Sequence, residues 1–345
     1  MRRIETGRRF RGLALGVVAV VLLGACGDNK KDGSAASDKG PSQVSVLAGL
    51  NDQQDPNIVI TEFLPEALSV RTGAAVEWRF SGSEPHSVTF LPPGQTPPSP
   101  ESPEGQALFA PSTPPVTSYD GKSLVNSGLL PLGPAPADPF VLTFPTAGQY
   151  SYVCIIHPLM TGRVTVVGDG STVDTQPDIN ERADSELRQW LDEGQAAKKK
   201  LTDTPPKQVK NPDDSTTWTY EMGATTEHTD VLAFAPDSGE VRPGDSVTFV
   251  NNSLAPHTAT FASGGQVPQN PSDPSVGAPT SPSPLALKTT GGPYNSGVLP
   301  PAAPPNAPPP EPVRSFTFTL PDAGTYPYVC IYHASSGMGG SVKVA

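Results

Sequence analysis

One stretch of this chain occurs twice, and any fold must accommodate both copies. The first is Tyr150-Ser-Tyr-Val-Cys154-Ile-Ile-His157-Pro-Leu-Met160-Thr-Gly-Arg-Val-Thr-Val166. The second is Tyr326-Pro-Tyr-Val-Cys330-Ile-Tyr-His333-Ala-Ser-Ser-Gly-Met338-Gly-Gly-Ser-Val-Lys-Val344. Each copy sets a thiol, an imidazole and a thioether on a short loop between two apolar, alternating runs. A second histidine precedes each loop in a repeated context of its own. It is His86 in Glu84-Pro85-His86-Ser-Val-Thr-Phe90 and His257 in Ala255-Pro256-His257-Thr-Ala-Thr-Phe261. The chain is therefore a tandem duplication, and the two halves must fold alike.

The runs around these loops read as strands. Asn57 to Pro65, Leu68 to Phe80 and Phe140 to Phe144 alternate apolar and polar residues between turn signals. Val231 to Ala235, Glu240 to Phe249 and Arg314 to Leu320 do the same in the second half. The chain has 345 residues and 43 prolines, a density that argues against a mostly helical protein. Leu91 to Pro115 and Ser263 to Pro293 are Pro/Ser/Gly-rich and belong on the surface. Asn126-Ser-Gly128 and Asn295-Ser-Gly297 repeat after them. Tyr150 and Tyr326 each follow a turn in the context of a tyrosine corner. The expected fold is all-β, two Greek-key β-sandwich domains joined by a linker with one helix. In that linker Ile179, Ala183, Leu187, Trp190 and Leu191 recur at helical spacing, which predicts an amphipathic helix over 180–201, packed on one of the domains. The expected divisions are a signal at 1–25, a disordered tether at 26–52, domain 1 at 53–168, the linker at 169–217 and domain 2 at 218–345.

The N-terminus reads as an export signal. Arg2, Arg3, Arg8, Arg9 and Arg11 precede an apolar run from Leu13 to Leu23, too short to span a bilayer comfortably. Leu23-Gly24-Ala25-Cys26 resembles the lipobox of bacterial lipoproteins. That resemblance implies cleavage before Cys26 and a lipid anchor on its thiol, with the protein held at the outer face of the cytoplasmic membrane or in the periplasm. The formal net charge is −11, and loss of the signal makes it more negative. Nucleic acid and anionic lipid headgroups are thereby disfavoured as partners, and a basic redox protein is compatible.

The chain has three cysteines. With Cys26 assigned to lipid, Cys154 and Cys330 remain in equivalent positions of separate repeats, where they are not expected to pair. Two thiols in an oxidising compartment need protection, and a bound metal provides it. Thiolate and thioether are soft donors. Two His and one Cys with a weak axial Met is the donor set of a blue-copper site, whereas a thioether suits zinc poorly. Four of the five histidines fall in matched positions. His228 and Met222 have no counterpart in the first half and are expected to be structural.

On these residues the two repeats resemble cupredoxins, the family of plastocyanin and amicyanin, over about 56–167 and 218–345. The first loop is similar to that of amicyanin and the second to that of plastocyanin. The resemblance implies that His86, Cys154, His157 and Met160 bind one type 1 copper, and His257, Cys330, His333 and Met338 another. It further implies that His157 and His333 reach the surface and pass the electron. The family often has Asn after the upstream histidine, where Ser87 and Thr258 stand here. Their backbone amides are expected to donate to the cysteine sulfur.

The leading functional expectation is one-electron transfer between redox partners, a cytochrome for example. Copper storage, delivery or sensing would use the same ligands. A copper oxidase or nitrite reductase needs further histidines, and no His-x-His pair is present.

Overall fold

The computed structural model describes residues 40–131, 136–268, 273–302 and 313–345. The signal sequence and Cys26 lie outside them. The first half holds nine strands: β1 (Gln43–Asn51), β2 (Ile58–Leu64), β3 (Ala67–Arg71), β4 (Ala75–Phe80), β5 (Thr89–Phe90), β6 (Val125–Asn126), β7 (Phe140–Thr143), β8 (Gly148–Val153) and β9 (Thr161–Val167). A short helix, α1 (Pro103–Ala107), lies within the first Pro-rich loop, and a long one, α2 (Gln176–Asp203), follows β9. The second half holds β10 (Lys207–Lys210), β11 (Thr216–Thr225), β12 (Thr229–Ala235), β13 (Ser238–Val241), β14 (Ser246–Asn251) and β15 (Thr260–Phe261). After the four-residue helix α3 (Pro274–Gly277) come β16 (Leu285–Ala286), β17 (Tyr294–Asn295), β18 (Ser315–Thr319), β19 (Gly324–Val329) and β20 (Gly339–Val344).

Each half is a β-sandwich. One layer is its own five-stranded sheet, in the order β3-β9-β8-β5-β6 or β13-β20-β19-β15-β17. The other layer belongs to a ten-stranded sheet that runs through both domains, four strands from the first half and six from the second, with β2 beside β12 at the join. The two strands pair antiparallel, Thr229 opposite Ile60, Asp230 opposite Val59 and Val231 opposite Ile58. These are equivalent residues of the two repeats, so the register is self-complementary about Val59 and Asp230. Two flanking bonds obey the same symmetry, Thr61 N–H to His228 O at 3.0 Å and Leu232 N–H to Asn57 O at 2.7 Å. The join is an isologous contact within one chain. It covers the edges that β2 and β12 would otherwise expose.

The cores repeat too. Trp78 stands against Phe90, Phe144 and Tyr152 in the first sandwich, and Phe249 against Phe234, Phe261, Phe318 and Tyr328 in the second. Edge-on aromatic clusters of this kind bury large apolar area in fixed orientations. Both tyrosine corners form: Tyr150 Oη donates to Thr146 O and Tyr326 Oη to Asp322 O, each at 2.9 Å. The Asn-Ser-Gly repeats pin the Pro-rich loops. Asn126 Nδ2 donates to Leu108 O and Ala110 O, and Asn295 Nδ2 to Val276 O and Ala278 O.

Three boundaries differ from the sequence expectation. The tether does not extend to residue 52, because Val44, Val46 and Ala48 alternate inward and make Gln43–Asn51 the strand between β2 and β4. The linker yields residues 207–210 and 216–217 to the second sheet. The helix starts at Gln176, where Thr175 and Asp178 form a capping box and Pro177 occupies the first turn. It also packs on both domains, not one. Ile179 enters the first core, and Trp190 sits on Ile60 and Leu64 of β2 while stacking on His228 just before β12. Gly194 lets the helix approach the join, since a Cβ there would lie 2.6 Å from both Ile58 Cγ2 and Thr229 Cγ2. Among the described residues no helix is long and apolar enough to cross a membrane.

Candidate metal centres

Each upstream histidine lies three residues before a short strand, β5 or β15, and each cysteine directly follows the strand before its loop, β8 or β19. β5 lies beside β8, and β15 beside β19, so the histidine and cysteine of each half meet at one end of the sandwich. His86, Cys154 and His157 have their donor atoms within 4.8 Å of one another, and so have His257, Cys330 and His333. Among the described residues these are the two groups of three or more His, Cys, Asp or Glu that could hold a metal.

The two groups share one geometry. His86 Nδ1 lies 3.1 Å from His157 Nδ1, and His257 Nδ1 lies 3.0 Å from His333 Nδ1. Cys154 Sγ is 3.3 Å from His157 Nδ1, and Cys330 Sγ is 3.4 Å from His333 Nδ1 and 3.7 Å from His257 Nδ1. Two imidazole nitrogens and a sulfur thus face one point, and nitrogens at this separation can both reach an ion at about 2 Å. Both cysteines are free and buried. Met160 and Met338 are buried as well, and their carbonyls accept from the Cys154 and Cys330 amides at 3.0 Å. That bond closes each loop and holds the Met beside its Cys. The soft, buried donor set fits copper at both sites.

The residue after the upstream histidine holds the sulfur. Ser87 N–H and Thr258 N–H each lie 3.4 Å from the cysteine Sγ, as expected. Their hydroxyls add a role that the sequence reading did not foresee. Ser87 Oγ accepts from Ile155 N–H and Thr258 Oγ1 from Ile331 N–H, both at 2.9 Å. A hydroxyl thus ties the segment after the upstream histidine to the cysteine loop.

Two glycines were also missed. Gly49 and Gly223 sit at register shifts in β1 and β11 with φ of +73° and +71°. A Cβ on Gly49 would lie 1.9 Å from His86 Nε2, and one on Gly223 2.7 Å from His257 Nε2. Each is a left-handed bulge that leaves room for the imidazole, which only glycine does without strain. A glycine inside an alternating run is the sequence signal that marks them.

Burial alone would raise the Cys154 thiol, but the adjacent His157 charge and bonds from His157 and His86 hold it well below the usual range. Cys330 is lowered against the same burial, chiefly by His333. Burial, followed by the His157 charge, keeps the His86 imidazolium disfavoured, and burial with His333 does so for His257. These shifts favour the thiolate and the neutral upstream imidazole, the forms that bind a metal.

The outer histidines depart from the resemblance. His333 does not reach the surface; it is 2% exposed. His157 is half-buried, with Leu159 beside it 45% exposed. The cause is the join, which turns both metal loops toward the opposite domain. His157 to Met160 border a small cleft with Thr225, Asp230 and Leu254 of the second half. The second loop is longer by two residues and makes a 3-10 turn, Ala334–Ser336. Through it Ser336 Oγ meets Ser83 Oγ at 2.6 Å, and Ser336 O accepts from Asn57 Nδ2 at 2.7 Å. His228 is structural: its ring stacks on Trp190, and its Nδ1 is 3.0 Å from Glu193 Oε2.

No protein-family profile matches the chain. Among solved structures it is similar to a reduced Cu(I) form of an amicyanin variant at pH 4, with 18% identity, 37% of this chain and 85% of that one covered, and a TM-score of 0.23. It is similar to oxidised plastocyanin from Dryopteris crassirhizoma, with 22% identity, 36% and 100% covered, and a TM-score of 0.21. A purple cupredoxin from Nitrosopumilus maritimus gives 22% identity, 36% and 99% covered, and a TM-score of 0.23. Two sandwiches, each carrying His, Cys, His and Met at one end, fit a tandem cupredoxin.

Proposed function

We propose that this chain is a one-electron carrier with two type 1 copper sites. His86, Cys154, His157 and Met160 hold one copper, and His257, Cys330, His333 and Met338 the other. The single observation that carries this reading is the duplicated meeting of two Nδ1 atoms and one sulfur in a buried setting. Bound copper supplies a single-electron couple. The chain's own residues set its terms. The Ser87 and Thr258 amides steady the sulfur, and the bonds from Cys154 to Met160 and from Cys330 to Met338 fix the loop. The aromatic cores beneath exclude water, and a site that barely relaxes favours fast transfer.

The Arg-rich, apolar N-terminus and the Leu23-Gly-Ala-Cys26 motif support an activity at the cell envelope on a lipid anchor. The acidic chain favours a basic partner, of which a cytochrome is the plain example. All five histidines are accounted for by the two sites and His228, which supports a carrier over an oxidase. Burial of Cys330 and His333 favours a carrier over a protein that must release its metal. Stopped-flow mixing of the reduced, copper-loaded protein with a basic cytochrome should show electron transfer within seconds. Copper release to a chelator should be far slower. Release that outruns electron transfer would assign the chain to copper delivery.

A further inference from the structure

The two metal loops are duplicates, but their surroundings are not. Glu84 stands two residues before His86 in the first domain, where the second has Ala255. Its Oε2 lies 3.4 Å from Nε2 of His333, across the join. The carboxylate is buried, and its other oxygen, Oε1, has no partner among the described residues. His333 turns Nδ1 to Cys330 and Nε2 to Glu84. Ser83, next to Glu84, and Asn57 hold the same loop through Ser336. The first site lacks the reciprocal contact, because a methyl group at Ala255 cannot reach His157.

A carboxylate on the outer nitrogen of a metal-binding histidine fixes the ring's tautomer and orientation and raises its basicity. A buried carboxylate also persists only with a compensating partner. Both requirements meet in one pair here. We propose that Glu84 is the positioning residue of the second metal centre: an interdomain carboxylate that accepts a hydrogen bond from His333 Nε2–H and holds Nδ1 toward Cys330. The second site is then complete only when the first domain is docked on it. The two coppers are inequivalent, the second held more tightly and more oxidised at equilibrium. This inference rests on the copper reading above for its metal readouts, and on the Glu84–His333 pair alone for its metal-free one.

The test uses the full chain with Glu84→Gln, an isosteric change. Site 2 is read alone in a Cys154→Ala background and site 1 alone in a Cys330→Ala background. Copper(I) affinity is measured by competition with a chromophoric chelator. Glu84→Gln should weaken site 2 by about tenfold, the effect expected of an outer-shell partner. It should raise the site 2 potential and leave site 1 nearly unchanged. Equal losses at both sites, or an unchanged site 2, would overturn the proposal. In the metal-free protein, nitrogen NMR of the histidines should find His333 protonated at Nε2. Glu84→Gln should shift that resonance by more than it shifts those of His157. A His333 resonance indifferent to Glu84 also overturns it. If wild-type protein gives no thiolate-copper absorption but the nitrogen shift appears, the copper reading fails and the pairing stands.

Discussion

Ser87 donates its amide toward the Cys154 sulfur and accepts the Ile155 amide on its hydroxyl, so one small side chain serves two elements. Ser87→Ala keeps the first bond and leaves the buried Ile155 N–H without its acceptor. The expected cost is about 1–2 kcal/mol in chemical denaturation of the metal-free protein, with the spectrum of the first site perturbed and that of the second intact. Glu62 tests burial in another way. Buried on β2 and near Glu66, it is pushed from an ordinary 4.5 up to about 9. Its carboxyl is therefore protonated in the fold at neutral pH, while the unfolded chain ionises above about 4.5. The stability tied to Glu62 is fully present below that value and is lost as pH rises toward 9. Glu62→Gln removes this loss. Thermal unfolding should find the variant more stable at pH 8, by several kcal/mol (about 5 at most), and unchanged at pH 4. The metal-facing residues were legible because their types are unusual together and occur twice. Glu84 was equally visible as the difference between Glu84-Pro85-His86 and Ala255-Pro256-His257. Its importance was not, since that depends on the contact between domains.

At the scale of elements, the alternating runs and corner tyrosines declared the sandwich, because period-two burial and a turn-bound tyrosine are local properties. β1 escaped notice because polar residues crowd its N-terminal side, although Val44, Val46 and Ala48 carry the pattern. The bulge at Gly49 was hidden for another reason. Its need for glycine comes from His86, 37 residues later in the chain by number and packed against it in space. Gly49→Ala forces a side chain into the left-handed region and into His86 Nε2. It should cost on the order of 2 kcal/mol and abolish copper uptake at the first site, as read by metal analysis, with the second site retained. Gly223→Ala should act the same way on the second site and more mildly, since its Cβ would meet His257 at 2.7 Å. The long helix was legible in its stripe but not in its target. Trp190 and Gly194 belong to a surface that exists only once β2 and β12 have paired.

On the scale of the whole molecule, duplication has produced a pseudo-symmetric pair that pairs its own edge strands and turns its metal loops inward. The symmetry holds for the backbone, in the register about Val59 and Asp230, and fails at the loops. Two extra residues in the second loop bury Ser336 and His333 under the first domain, while the shorter first loop leaves His157 and Leu159 partly open. A histidine-directed acylating reagent should therefore modify His157 of the metal-free protein well before His333, read by peptide mass mapping. Equal rates would mean that the domains part readily in solution. Sequence could not supply this inequality, because each repeat by itself resembles a protein whose outer histidine faces water.

The most direct measurement is the optical and paramagnetic-resonance spectrum of the oxidised, copper-loaded protein, beside that of Cys154→Ala. The wild type should be intensely blue from thiolate-to-copper charge transfer, with a spin count of two coppers per chain, and Cys154→Ala should keep one. A colourless protein that nonetheless binds copper, or a variant that loses both metals, would contradict two independent thiolate-bound sites.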